Sequence, residues 1–225
     1  MDLLYTAHVP SGDGPFPTVL MLHGWGASAH DLMGLAPIVH GGEALVLCPQ
    51  GPVAFQVAPD QAPGLLGYGW WPITQDREMD PGAFDAARGA VKAFLDAACE
   101  RYPIDRRKIV VMGFSQGGVM AYDLVLGDPG RFAGLVALSS WLPEAVDEGI
   151  PSQEALQNFP ALVVHGTKDP MIPVERAQES RQRLLARGLN VHYREFEMEH
   201  EINQDALREL VVWLEEKVFN LIQLA

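Results

Sequence analysis

Apolar residues along the chain fall into short continuous runs that alternate with longer segments of helical period. The runs with strand character that are rich in Val, Ile and Leu are residues 18–22, 44–48, 108–114, 133–139 and 161–165, and residues 191–196 form a later and more polar run. Several of them are apolar throughout, which is typical of parallel strands that are covered on both faces. Residues 3–9 predict an additional antiparallel strand at an edge of the sheet.

The segments between these runs predict helices. Apolar residues recur every three or four positions from Phe84 to Ala98 and again from Ile202 to Val218. Residues 173–187 predict another helix, which Gly188 terminates. Alternating strands and helices predict an α/β fold with a mostly parallel central sheet and helices on both faces. Because no linker or repeat interrupts the 225 residues, we expect a single domain over residues 1–225.

One long segment departs from this alternation. Residues 53–81 are rich in Pro and Gly and show no sustained period, which predicts a long loop. Such a loop within a compact domain is usually functional. It carries Trp70 and Trp71, which we expect to line a pocket.

Charge and composition narrow the class of partner. The net charge of −13 disfavours nucleic acid and anionic membrane surfaces, and no apolar run has the ~20 residues that span a bilayer. Cys48 and Cys99 are expected to be free thiols, and no signal peptide is visible, so we expect a cytoplasmic protein. The apolar tail, residues 221–224, predicts a packed final helical turn or a subunit contact, which leaves monomer and homodimer open.

The chemistry is indicated first by a serine between glycines. The sequence Gly113-Phe114-Ser115-Gln116-Gly117 directly follows the apolar run 109–112. A strand that ends in Gly-x-Ser-x-Gly and turns at once into a helix is the nucleophile elbow of the α/β-hydrolases. Glycines are needed there because a Cβ would collide with the neighbouring strand or helix, and the serine adopts a strained backbone conformation.

An acid and a histidine follow in the order that hydrolases of this fold use. Asp169 comes after the run 161–165, and His200 lies where a strand-like segment gives way to a helix. Alone, Asp169 is equally well explained as a helix cap, and His200 is better explained as a surface histidine at the start of a helix. Together with Ser115 they predict a Ser-His-Asp catalytic triad.

The oxyanion hole is predicted from two backbone amides. One is the amide of Gln116, directly after the nucleophile, and the other is the amide of Trp25 in the loop after the first apolar run. His23 and His165 are interpreted as structural, because His200 has the better context for proton transfer.

Two further motifs lack the additional residues that their functions require. Gly24-x-Gly26-x-x-Ala29 fits a dinucleotide fingerprint, but the next strand does not end in an acid that could hold a ribose. His200-Glu201 begins a zinc-protease motif, but Gln204 stands where the second histidine must be. We therefore predict neither a cofactor nor a metal.

With these residues assembled, the chain resembles the phospholipase/carboxylesterase family of α/β-hydrolases over nearly its whole length. That resemblance implies a serine esterase with a minimal lid, acting on acyl esters or thioesters. It also implies an acyl pocket formed in part by Trp25, Leu66, Trp70, Trp71 and Leu142. The motifs that carry it are Leu22-His23-Gly24-Trp25-Gly26, Trp70-Trp71, Gly113-Phe114-Ser115-Gln116-Gly117-Gly118, Leu138-Ser139-Ser140-Trp141-Leu142-Pro143, His165-Gly166-Thr167-Lys168-Asp169 and His200-Glu201-Ile202.

Three positions depart from the family pattern and affect the prediction of the substrate. Pro72 replaces an aspartate, Trp25 replaces a smaller residue, and Glu199 replaces a glycine. The expected substrate is a short- to medium-chain carboxylic ester. Alternatives are a long-chain thioester or lysophospholipid, and a fold that binds a ligand without catalysis.

Overall fold

The computed structural model describes residues 2–57, 64–73 and 79–220. Its strands are β1 (Tyr5–His8), β2 (Phe16–Leu22), β3 (Leu45–Pro49), β4 (Val53–Gln56), β5 (Leu66–Gly69), β6 (Ile104–Phe114), β7 (Gly134–Leu138), β8 (Pro160–Gly166) and β9 (Asn190–Phe196). Its α-helices are α1 (Pro81–Arg101), α2 (Gln116–Gly127), α3 (Glu144–Gly149), α4 (Val174–Ala186) and α5 (Gln204–Leu214). Short 3₁₀ turns lie at Leu32–Leu35, Val39–Gly42, Pro129–Arg131 and Glu154–Leu156.

Seven strands form one sheet in the order β1-β3-β2-β6-β7-β8-β9. Neighbouring strands run parallel except β1, which pairs antiparallel with β3 and places Thr6 opposite Cys48. The predicted mostly parallel α/β sheet with an antiparallel edge strand is therefore confirmed.

The two faces of the sheet are covered by different helices. Leu20 and Leu22 of β2 lie in a buried cluster with residues of α1, α2 and α4. Val19 and Met21, which alternate with them, lie in a second buried cluster with residues of α5. Burial on both faces explains why these strands are apolar at nearly every position.

The strand order reverses beside β2, and the candidate site lies at that point. From β2 the chain passes to β3 on one side of the sheet and later to β6 on the other. In open parallel sheets ligands bind at the carboxyl ends of strands where the order reverses. Residues 23–26 follow β2, Ser115 follows β6, and the loops with Asp169 and His200 follow β8 and β9.

Two predictions require correction. The segment 53–81 is not a loop throughout, because β4 and β5 form an antiparallel hairpin with Val53 opposite Gly69. The pattern missed it because both strands are short and only partly buried, and the second of them contains two glycines. The last helix is α-helical only to Leu214 and continues as a π-helical turn, Glu215–Phe219.

Other predictions concern the cysteines, the chain end and membrane spans. Cys48 and Cys99 are both free thiols, as predicted. The tail 221–224 lies outside the described residues. In the part of the chain that the structure describes, no helix is long and apolar enough to cross a membrane.

Candidate active site

The turn from β6 into α2 has the strained backbone of a nucleophile elbow. Ser115 has φ of +52° and ψ of −119°, a left-handed conformation that is unusual for a residue with a side chain. The surrounding structure fixes this conformation, because the Ser115 amide donates to the Leu138 carbonyl at 2.9 Å and the Ser140 hydroxyl donates to the Ser115 carbonyl at 2.7 Å.

The glycines around Ser115 are required because other backbone lies against them. A Cβ on Gly117 would lie 2.0 Å from the Leu22 carbonyl oxygen, and one on Gly113 would lie 2.1 Å from the Gly117 carbonyl oxygen. A Cβ on Gly118 would lie 2.4 Å from the Ser140 side chain. These contacts are too short for carbon, so the elbow forms only with glycine at these positions.

We expect Gly117→Ala to lower the free energy of unfolding by about 3 kcal/mol or more, because the new methyl group meets backbone that cannot move aside. The matched control is Gly89→Ala in α1, where the added Cβ meets nothing within 4 Å. That control should stabilise the protein by about 0.5–1 kcal/mol, because Ala favours a helix over Gly. Urea denaturation measures both values, and equal effects would contradict the steric argument.

Asp169 and His200 are joined directly by a hydrogen bond. Nδ1 of His200 lies 2.7 Å from Oδ2 of Asp169, whose side chain is fully buried. The other oxygen, Oδ1, accepts the amides of Met171 and Ile172 at 2.8 and 2.9 Å. The carboxylate is therefore fixed by its own turn, and it orients the imidazole.

His165 packs beside this pair from β8. Its Nε2 donates to the Ile172 carbonyl at 2.9 Å and lies 3.5 Å from Oδ2 of Asp169. Burial lowers the pKa of His165, so the imidazole is neutral and holds the turn that carries Asp169.

The loop after β2 lies against the nucleophile. A Cβ on Gly24 would lie 3.3 Å from Cβ of Ser115. Among the described residues, the next amide in this loop, that of Trp25, donates to no protein acceptor, and neither does the amide of Gln116 at the start of α2. Two unpaired amides beside a serine hydroxyl are the arrangement that can hold a developing oxyanion.

His23 fastens the base of this loop. Its Nδ1 donates to the Gly24 carbonyl at 2.8 Å, and its Nε2 accepts the Gly51 amide at 2.9 Å. Both nitrogens are thus occupied by backbone, and burial lowers the pKa of His23. Its side chain orders the loop and has no free nitrogen for proton transfer.

The side chain of Gln116 joins α2 to the segment after β5. Its Oε1 accepts the Trp70 amide and its Nε2 donates to the Trp71 carbonyl, each at 2.8 Å. Trp70 is fully buried, and its indole N–H donates to the His23 carbonyl at 2.9 Å. Trp71 faces the cavity described next.

A cavity of about 1140 Å³ opens beside Ser115 and His200. The predicted site residues Ser115, His200, Trp25, Gln116 and Trp71 all line it, whereas Asp169 lies buried behind His200. The remaining walls include Phe84 and Arg88 of α1, Asp123 of α2, Trp141, and Val146 and Ile150 near α3.

Three of the residues predicted for the acyl pocket do not line this cavity. Trp70 is held in the core by its bond to His23, and Leu142 is buried with its amide bonded to Ser180 Oγ at 2.8 Å. Leu66 is 48% exposed on the hairpin and lies outside the cavity lining. The neighbours of Leu142, Trp141 and Pro143, line the cavity instead.

Sequence reasoning also missed the polar residues of the cavity. Asp123 is the only charged residue of α2, whose other residues from Gln116 to Leu126 are polar or apolar and all buried. A single acidic residue in an otherwise uncharged helix is the feature of the sequence that could have indicated a functional role for Asp123. Arg88 lies on the exposed side of the helical pattern of α1 and gave no signal of its own.

Comparison with known proteins indicates the family of the chain. A family model described as Phospholipase/Carboxylesterase matches residues 6–217. An acyl-protein thioesterase 1 of Gibberella zeae is 30% identical over 49% of this chain and 48% of its own length, so the chain matches about half of that relative. An acyl-protein thioesterase 1 of Cryptococcus neoformans is 28% identical over 72% of this chain and 70% of its own.

Among solved structures, a Bacillus cereus carboxylesterase superposes with a TM-score of 0.80 and 22% identity, over 96% of this chain and 94% of that one. At this identity the likeness concerns the fold alone, which is the α/β-hydrolase fold. Because the family model extends over nearly the whole described chain, this protein belongs to the phospholipase/carboxylesterase family of α/β-hydrolases.

Proposed function

We propose that the protein is a serine carboxylesterase that hydrolyses short- to medium-chain acyl esters through an acyl-enzyme. The observation that carries this proposal is the 2.7 Å hydrogen bond between His200 and Asp169. His200 lines the same cavity as Ser115. A serine hydroxyl needs a base to remove its proton and a carboxylate to fix the tautomer of that base. The three side chains supply these groups.

In the proposed reaction Ser115 Oγ attacks the ester carbonyl while Nε2 of His200 takes its proton. The resulting oxyanion accepts the amides of Trp25 and Gln116, and Asp169 stabilises the imidazolium through Nδ1. Collapse of the tetrahedral intermediate breaks the bond to the alcohol, which receives the proton from His200. Water then repeats the sequence and releases the acid.

The cavity supports an acyl group larger than acetyl. Its volume of about 1140 Å³ is mostly bounded by aromatic and aliphatic side chains, and ligand pockets commonly have about 300–1,000 Å³. Thioester hydrolysis by the same triad is the second candidate, because the curated relatives named above are acyl-protein thioesterases.

A paired substrate series tests the proposal. We expect a fluorophosphonate probe to label Ser115 and kcat/KM for p-nitrophenyl esters to rise from acetyl to medium-chain acyl groups. Thioesters of the same acids show which leaving group is preferred, and a consistent thioester preference would favour the second candidate. Absence of labelling and of turnover on both series would instead indicate a fold that binds ligands without catalysis.

A further inference from the structure

The β4–β5 hairpin packs against the loop that carries one of the two oxyanion donors. In this loop the amide of Gly26 donates to the Tyr68 carbonyl at 2.9 Å, and the Tyr68 amide donates to the Ala27 carbonyl at 2.9 Å. Ala27 and Tyr68 thus form an antiparallel bridge, while β5 also pairs with β4. The hairpin therefore holds the backbone directly after Trp25.

The side chain of Trp25 is in contact with both strands of this hairpin. Its indole stacks on the Phe55 ring, with the ring centroids 4.0 Å apart and the planes at an angle of 12°. The indole also lies against Gly69, where an added Cβ would lie 2.2 Å from Cε3 of Trp25. A Cβ on Gly67 would lie 2.6 Å from the Gly26 carbonyl oxygen. The two glycines of β5 are therefore needed because the loop after β2 lies directly against this strand.

The residues that follow the hairpin hold the second oxyanion donor. The Trp70 amide and the Trp71 carbonyl are bonded to the side chain of Gln116, each at 2.8 Å. The indole N–H of Trp70 donates to the carbonyl of His23, two residues before Trp25. The hairpin and the two residues after it thus contact both of the segments that supply the oxyanion amides.

An amide that must bind the substrate cannot be fixed by a hydrogen bond of its own. Among the described residues the Trp25 amide has no acceptor, so its direction depends on the bonds of its neighbours and on its side chain. Oxyanion stabilisation requires donors that are oriented before the reaction, and a misplacement of about 1 Å can cost about a hundredfold in rate. Phe55 does not line the cavity, whereas Trp25 does, so we expect Phe55 to affect catalysis through Trp25.

We propose that Phe55 is a positioning residue for the hydrolytic reaction, because its ring fixes the indole of Trp25 and thereby the direction of the Trp25 amide. This inference rests on the proposed esterase function and adds a residue outside the cavity that affects the rate of the chemical steps. Acylation and deacylation both pass through an oxyanion, so loss of the stacked ring slows both steps and leaves KM nearly unchanged.

The test compares the kinetics of Phe55→Ala with those of the unaltered protein on a medium-chain p-nitrophenyl ester. We expect kcat to fall about tenfold, which is less than the roughly 100–1,000-fold loss that follows removal of a whole oxyanion donor. We expect KM to change by less than about twofold, because the interaction that is weakened forms only in the transition state. Phe55→Tyr keeps the stacked ring and should retain the kcat of the unaltered protein.

Two inhibitors separate the binding of the oxyanion from the rest of binding. A medium-chain alkyl trifluoromethyl ketone forms a hemiketal with Ser115 as His200 takes the hydroxyl proton, and the adduct carries an oxyanion like that of the reaction. The methyl ketone of the same chain length binds without forming this adduct. In Phe55→Ala, Ki should rise about tenfold for the trifluoromethyl ketone and stay unchanged for the methyl ketone.

Phe94→Ala is the matched control, because Phe94 is a partly buried ring of α1 that packs on Tyr5 and does not line the cavity. It should lower stability without changing kcat or either Ki. If Phe55→Ala fails to fold, Gly69→Ala tests the same contact from β5, because its methyl group displaces the indole. It should lower kcat and raise Ki for the trifluoromethyl ketone.

An unchanged kcat in folded Phe55→Ala would overturn the inference. An equal loss of kcat in Phe94→Ala would also overturn it, because the effect would then come from general destabilisation. Equal weakening of both inhibitors would show that Phe55 acts on substrate binding and not on the oxyanion. The esterase function survives each of these results, since the unaltered protein still hydrolyses the ester. If the unaltered protein hydrolyses no ester, the proposed function fails and this inference fails with it.

Discussion

Replacing Ser115 with alanine is expected to lower kcat for a short p-nitrophenyl ester by about a million-fold, the scale seen when a triad nucleophile is removed. The variant has no hydroxyl to form the acyl-enzyme. What remains is the contribution of the Trp25 and Gln116 amides, typically about 10³–10⁴-fold over water. Steady-state kinetics at saturating ester measures the loss.

The Ser115→Ala protein should remain folded. The hydrogen bonds that fix the elbow are made by the backbone of Ser115, so removal of Oγ leaves them in place. Circular dichroism and the urea midpoint check this. Ser152→Ala, at an exposed position outside the cavity, is the matched control and should keep full activity. Undiminished turnover in Ser115→Ala would refute the assignment of the nucleophile.

Asp169→Asn is expected to lower kcat by about 10⁴-fold, because an amide in place of the carboxylate favours the wrong tautomer of the histidine and no longer stabilises the imidazolium. The turn itself should persist, since the asparagine Oδ1 can still accept the amides of Met171 and Ile172. The neighbouring His165 should not compensate for the change, because its Nε2 is bonded to the Ile172 carbonyl and lies farther from Oδ2 of residue 169 than Nδ1 of His200 does.

Asp205→Asn provides the matched control for charge and residue type. Asp205 is exposed in the first turn of α5, where it pairs with Arg208. Its replacement should leave kcat unchanged and cost at most about 1 kcal/mol in the free energy of unfolding. A loss below tenfold in Asp169→Asn, measured beside this control, would mean that another group orients His200.

The sequence predicts most of this sheet because burial on both faces leaves a strong signal. The strands β2, β3, β7 and β8 and the second half of β6 are nearly continuous apolar runs, whereas β9 is more polar and only partly buried. The β4–β5 hairpin gives no such signal, because it pairs largely outside the core and its second strand, Leu66–Gly69, contains two glycines. Pairing of that kind depends on tertiary contacts that a one-dimensional pattern does not contain.

In the candidate site, too, some residues can be predicted from the sequence and others cannot. Ser115, Asp169 and His200 are predictable because each follows a strand, and the carboxyl ends of parallel strands meet at one edge. The residues that line the cavity cannot be predicted from their closeness in sequence to a catalytic motif. Leu142 points into the core while Trp141 and Pro143 beside it line the cavity, and Arg88 and Asp123 meet only because α1 packs against α2.

The bonds made by the Gln116 side chain have a consequence for how this enzyme can change over evolutionary time. Gln116 holds the backbone of residues 70 and 71 and makes no polar bond to their side chains. Replacing the indole of Trp71 therefore leaves these two hydrogen bonds in place, although the ring also packs against Phe84 in the core and its loss lowers stability. A smaller side chain at this position would thus widen the cavity at a cost in stability, while the backbone bonds that link α2 to the segment after β5 are kept.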